Sequence, residues 1–138
     1  MRDEMYTAVR GRGAHKDGAP LRVRHRDTLD GSVLGVGLSY DPARREAMLG
    51  QLHLLLHRAG VLRTLGSAAL DLAYVAAGRF DAVWYLSLNA WDVAAGVLLV
   101  EEAGGRCSDL TGGPLRDPSH GMVASNSRLH DRFLDALR

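Results

Sequence analysis

The chain has 138 residues, 46% of them hydrophobic and 24% charged, enough for one compact domain with an apolar core. Its formal net charge of +1 gives no electrostatic reason to expect a nucleic acid or an acidic membrane as partner, and no apolar run reaches membrane-spanning length. The single cysteine, Cys107, excludes an internal disulfide and, with no signal-peptide pattern at the start, points to a cytoplasmic location.

The first segment, Met5-Tyr6-Thr7-Ala8-Val9, alternates as a strand does. Asp17-Gly18 suits a hairpin turn because both residues tolerate positive φ, and Leu21 to Val23 is the expected returning strand. Asp27-Thr28-Leu29-Asp30-Gly31-Ser32 then offers two carboxylates ahead of a strand through Val33, Leu34 and Val36. From Pro42 to Leu62 the pattern is helical: Pro42 suits a first turn, and Met48, Leu52, Leu55 and Leu56 recur at helical spacing. His53 and His57 share a face of this helix and could pair on a metal. With no third ligand nearby, and with Arg45, Glu46 and Arg58 around them, a solvated face is the simpler reading. Gly60 ends the helix, and Val61-Leu62 reads as a short buried strand.

Beyond Arg63 the chain turns at Gly66-Ser67 into a second helix through Ala68, Leu70, Leu72, Ala73, Val75 and Ala76 to Gly78. A helix N-terminus offers unpaired N–H groups and positive potential, a natural place for an anion. Gly66 lets the backbone come close, and Ser67 either caps the helix or donates its hydroxyl. Residue types alone favour the ordinary cap. Phe80 to Leu88 then reads as a strand leading into an Asn89-Ala90 turn.

The most informative stretch comes next: W-D-V-A-A-G-V-L-L-V-E-E-A-G-G, residues 91 to 105. It reads as a helix opened by Asp92 and stopped by Gly104-Gly105, with Val93, Val97, Val100, Ala94 and Leu98 forming an apolar rod. Ala94, Ala95 and Gly96 are small, so another element must approach closely. Glu101 and Glu102 sit at the wrong end for the helix dipole and are expected to face solvent. Asp92 has two readings: a helix cap, or a carboxylate aimed into a cleft where it could ligate a hard cation such as Mg2+. Arg106 to Leu110 is a strand that gives Cys107 a structural place. Thr111-Gly112-Gly113-Pro114 is a tight turn, Gly121 to Asn126 a last strand, and Leu129 to Leu137 the closing helix. The alternation predicts an α/β fold: an N-terminal hairpin, then a mixed, largely parallel sheet with strands near Val33, Val61, Val83, Cys107 and Met122, and helices packed on it.

Several of these strings resemble the inositol monophosphatase family of Mg2+-dependent phosphatases. The Trp91–Gly105 string is similar to the family's second signature. Arg63 to Ala82, R-T-L-G-S-A-A-L-D-L-A-Y-V-A-A-G-R-F-D-A, resembles its substrate-pocket segment, and D-E-M-Y-T-A with R-G-R-G-A resembles a hairpin from the middle of the family's chain. The resemblance implies a truncated version of that fold, with residues 1–28 a remnant of an N-terminal antiparallel-sheet domain and 29–138 the C-terminal α/β domain. It implies Mg2+ as cofactor, Asp92 as a metal ligand, and Gly66, Ser67, Ala68, Tyr85 and Asp92 as substrate contacts. Tyr85 stands where many members carry a Glu that contacts a hydroxyl of the inositol ring. Asp27 to Ser32 resembles the family's first metal motif, but it lies downstream of the hairpin and lacks the proline, so it reads as a decoy. The family's G-E-E glutamate and true D-P-x-D-G-T motif are not in these residues, and Met1 reads as an internal methionine of a longer frame. The implied activity is hydrolysis of a phosphomonoester by metal-activated water. The implied partners are a small phosphorylated sugar or polyol and a second copy in a homo-oligomer, a dimer by expectation. The alternative is a non-catalytic module that binds phosphorylated ligands or a sister subunit.

Overall fold

The computed structural model describes residues 3–138. It begins with a three-stranded antiparallel sheet in the order β1 (Tyr6–Ala8), β2 (Ala14–Lys16), β3 (Ala19–Pro20). Asp17 and Gly18 both take positive φ, 51° and 81°, and make the tight β2–β3 turn that the sequence suggests. The strand returning from that turn is Ala19–Pro20, not Leu21 to Val23. The strand facing β1 is Ala14–Lys16, with Tyr6 opposite Lys16. A second turn at Gly11 and Gly13 makes this possible, both at positive φ. Leu21 and Val23 are buried in the core.

A five-stranded sheet follows in the order β5 (Val61–Arg63), β4 (Val33–Val36), β6 (Ala82–Tyr85), β8 (Met122–Asn126), β7 (Gly105–Ser108). It is mixed. β5, β4 and β6 pair in parallel, β8 pairs antiparallel to β6, and β7 antiparallel to β8, so only β8 runs against the rest. The helices are α1 (Pro42–Leu56), α2 (Ala68–Ala76), α3 (Ala90–Glu102) and α4 (His130–Ala136), with a 3-10 turn at Pro118–His120.

Side-chain alternation along β6 divides two apolar layers. Ala82 and Trp84 point to one face, where Met48 and Leu55 of α1 and Phe133 and Leu134 of α4 complete a buried cluster. Val83 and Tyr85 point to the other, where Leu72 and Val75 of α2, Val93 and Val100 of α3, and Ala14, Leu21 and Val23 pack. The small N-terminal sheet therefore shares a core with α2 and α3. Glu102 pins it there. Its half-exposed carboxylate accepts the N–H groups of Gly11 at 2.7 Å and Gly13 at 2.8 Å. Those bonds hold it below the usual carboxylate range.

Candidate functional site

The three parallel strands end at one place. β4 runs out into Gly37 to Asp41, β5 into Gly66 to Ala69, and β6 into Leu86 to Asn89, and all three segments line a single cleft of about 850 Å3. Crevices outside the carboxyl ends of parallel strands are where α/β folds take their ligands. Each segment also leads into a helix. Asp41 caps α1 by accepting the Ala43 N–H at 3.0 Å, Ser67 caps α2 by accepting the Leu70 N–H at 3.3 Å, and Asn89 caps α3. The N-termini of three helices, 15, 9 and 13 residues long, therefore converge on the cleft. Their dipoles add positive potential there.

Arg44 adds a guanidinium, paired at 3.5 Å with the Asp41 carboxylate that lines the same cleft. Its Nη1 donates to the carbonyls of Leu86 at 3.1 Å and Ser119 at 2.9 Å, which holds the guanidinium against the cleft. Gly66 takes φ of 73°, so the backbone turns sharply just before the cap of α2. Nothing within 4 Å would meet a Cβ at that position, so the conformation rather than crowding calls for glycine.

All five residues singled out from the sequence, Gly66, Ser67, Ala68, Tyr85 and Asp92, line this cleft. Asp92 does not open α3. The helix starts at Ala90, with Trp91 already inside it, and Asp92 is its third residue. There its Oδ2 accepts both the backbone N–H of Asn89 at 3.1 Å and the Asn89 side-chain amide at 3.2 Å. The carboxylate that returns to the cap's own N–H is the acidic half of a capping box, and it has to stand three residues after the cap. Tyr85 forms the floor. A Cβ on Gly37 would overlap the Tyr85 ring, so glycine at 37 is what lets the ring lie there. The Tyr85 hydroxyl donates to Oδ2 of Asp71, a carboxyl with no exposed surface in α2. Burial pushes Asp71 up to about 6, opposed by the bond from Tyr85. Burial followed by the Asp71 bond also raises the Tyr85 phenol.

Sequence reasoning missed Gly37, Arg44 and Asn89. The available signal was position: each follows a parallel strand, at the end where the cleft forms.

Asp27 and Asp30 stand before β4, whereas the cleft lies beyond its carboxyl end, and neither lines it. His53 and His57 stack edge to face with ring centroids 5.4 Å apart on the exposed side of α1. Burial pushes the half-buried Cys107 thiol up to about 12, which disfavours the nucleophilic thiolate. Among the described residues no cluster of three or more His, Cys, Asp or Glu is placed to hold a metal ion. Asp92 can offer the oxygen that its cap does not use. One carboxylate fits the edge of a Mg2+ site, but these residues do not complete the octahedral shell such an ion takes.

The inositol monophosphatase family profile matches residues 1–138. The chain belongs to that family. It is 42% identical over 142 residues to the Nus factor SuhB of Pseudomonas aeruginosa, covering 100% of this chain and 52% of the relative. It is likewise 42% identical over 137 residues to the inositol-1-monophosphatase of Mesorhizobium japonicum, covering 99% of this chain and 52% of that one. Among solved structures, the extragenic suppressor protein suhB from Bartonella henselae superposes with a TM-score of 0.93 at 38% identity, covering 99% of this chain and 53% of that one. An inositol monophosphatase from Anabaena gives 0.92 at 37%, with 98% and 55% covered. This inositol monophosphatase family chain therefore spans about half the length of the relatives it matches. Among the described residues no helix is long and apolar enough to cross a membrane.

Proposed function

We propose that these residues are the C-terminal portion of a cytoplasmic, Mg2+-dependent phosphomonoesterase and that the cleft receives the phosphate group of a small sugar or polyol phosphate. The observation that carries this reading is the convergence of three helix N-termini and the Arg44 guanidinium on one cleft in a chain of the inositol monophosphatase family. In this reading the backbone N–H groups at Gly66, Ser67 and Ala68 hold phosphate oxygens, and Arg44 neutralises charge at the cleft wall. Asp92 supplies one carboxylate to the metal, and Asn89 fixes that carboxylate through the capping box. A bound Mg2+ would polarise the phosphoryl group and lower the pKa of a coordinated water. The described residues bind and orient, and the remaining metal ligands come from outside them. Residues 1–28 then belong with an antiparallel-sheet domain and 29–138 form the α/β domain, in an assembly of two copies.

A second reading is a non-catalytic module that keeps the phosphate cleft and an oligomer surface. It is favoured by the incomplete set of metal-ligating side chains among the described residues. The name Nus factor, carried by several relatives, points to a transcription-related role in those proteins. The experiment that separates the readings measures phosphate release from several sugar phosphates, with and without Mg2+. It uses this chain alone and this chain mixed with the first half of the Bartonella henselae protein. Mg2+-dependent release only in the mixture supports the phosphatase portion. Ligand binding without release in either favours the module.

A further inference from the structure

Tyr85 and Asp71 together decide what the cleft floor offers a ligand. Tyr85 leaves β6 on the face that carries α2, and only 5% of its surface stays exposed. Its ring lies over Gly37, where no other side chain fits beneath it. Its hydroxyl points inward, to Oδ2 of Asp71. Asp71 has no exposed surface, and its other oxygen, Oδ1, is buried without a partner. A phenol carries one proton. That proton is already engaged by a carboxyl that has no other donor among the described residues, and withdrawing it would leave a buried polar group unsatisfied.

We propose that Asp71 is a positioning residue that holds the Tyr85 hydroxyl out of the cleft, so that the site takes phosphate esters by their phosphate group, without reading a hydroxyl of the alcohol at that point. The ligand class is therefore a phosphomonoester held through its phosphate and not selected at that point by a hydroxyl of its organic part. The proposal rests on the phosphate-binding reading of the same cleft and adds the character of the alcohol that the phosphate esterifies.

The test is calorimetric binding of inorganic phosphate, phenyl phosphate and myo-inositol 1-phosphate to this chain. Wild type is expected to bind phenyl phosphate at least as tightly as the inositol ester. Asp71→Leu removes the acceptor and frees the Tyr85 side chain to rotate about its Cα–Cβ bond and bring the hydroxyl into the cleft. The affinity ratio should then move toward the inositol ester by about threefold to tenfold, the worth of one net hydrogen bond. Asp71→Asn keeps an acceptor oxygen for the Tyr85 proton and should restore the wild-type ratio, which a purely structural role for the carboxyl would not require. If Asp71→Leu does not fold, Tyr85→Phe addresses the same point. A hydroxyl held by Asp71 is missed by neither ester, whereas one that reaches the ligand is missed by the inositol ester alone. A wild-type preference for the inositol ester of more than about threefold overturns the proposal, as does a ratio that Asp71→Leu leaves unmoved. If inorganic phosphate and both esters all fail to bind, the phosphate reading itself falls and this inference falls with it.

Discussion

Gly96 of α3 lies against Leu72 of α2 so closely that a Cβ on the glycine would sit 2.5 Å from Leu72 Cδ1 and 2.6 Å from Leu72 Cβ. Leu72 has no exposed surface, so it has nowhere to move. Both helices start at the cleft, and this contact sets how far apart their N-termini stand. Gly96→Ala should therefore cost about 1–3 kcal/mol of stability by overpacking, seen as a lower denaturant midpoint. Phosphate binding at the cleft should weaken with it. An unchanged midpoint would mean that α2 and α3 part without cost.

Glu102 joins the end of α3 to the turn between β1 and β2 through two backbone N–H groups. Glu102→Ala should leave the Gly11 and Gly13 amides without acceptors, and their hydrogen exchange should speed up while amides in β6 stay protected. The sign with pH comes from a folded-state pKa held down by these bonds. The contribution is present above the ordinary glutamate value of 4.5 and is lost as pH falls through the lower folded value. In the alanine variant that acid sensitivity of the turn should vanish.

How far the sequence alone reaches is visible in these two contacts. Small residues at 94 to 96 announce a close approach before any partner is known, because only a packed neighbour explains a run of them in an apolar helix. The cap of α2 at Ser67 and the left-handed stop at Gly104, φ 86°, are equally local and equally legible. Glu102 is not, because its partners lie 89 and 91 residues away and its place at the end of a helix dipole suggests solvent. The hairpin register fails for a related reason: Asp17-Gly18 is the stronger turn signal and hides the turn at Gly11 and Gly13, which draws Ala14–Lys16 in as the middle strand. At the site, the family resemblance points to Ser67, Tyr85 and Asp92 where residue types alone favour ordinary caps, and neither gives the direction of the Tyr85 hydroxyl, which its buried partner in α2 decides.

Asp71 makes a prediction in the opposite pH direction. Its folded pKa lies near 6, above the ordinary aspartate value of 3.8, because burial disfavours the charge. Between those values the folded state binds more protons than the unfolded one, so this group's contribution to stability falls as pH rises from about 4 to about 6 and stays low above that. Asp71→Asn carries no such titration. The difference in unfolding free energy between variant and wild type should shift in the variant's favour by on the order of 2–3 kcal/mol across this interval, and flatten outside it. His130 is present in both proteins and cancels in that difference. Its own effect, from an imidazole pushed down to about 4 by burial, is a loss of stability as pH falls below the usual 6.5.

The outer edge of β1 offers a test of association. Among the described residues β1 pairs only with β2, and Met5 and Val9 beside it are 67% and 57% exposed. An unpaired edge flanked by apolar side chains invites a second chain. Light scattering over a concentration series should show the mass rising above that of one chain. Ala8→Pro, which removes an N–H from the outward-facing side of β1, should reduce that rise. A monodisperse monomer at high concentration would sink this prediction.

The last prediction separates the two aspartate sites by function. Asp92 lines the cleft with one carboxylate oxygen free of its capping role, whereas Asp30 precedes β4 and contributes its backbone carbonyl to Arg26 Nη1 at 2.7 Å. A single carboxylate is too few for an ion that keeps most of its waters, so the 138-residue chain should release little or no phosphate from sugar phosphates in Mg2+. Phosphoryl transfer depends on charge stabilisation and positioning, so supplying the first half of a relative should restore the main catalytic contribution rather than a fraction of it. In that restored protein Asp92→Asn should lower phosphate release by roughly a hundredfold or more, since it removes charge from the reacting end of the cleft. Asp30→Asn should stay within about twofold, because its carboxylate sits at the far end of β4 from the reaction. Strong Mg2+-dependent hydrolysis by the chain alone, abolished by Asp27→Asn or Asp30→Asn, would reverse the assignment and make the loop before β4 the metal site.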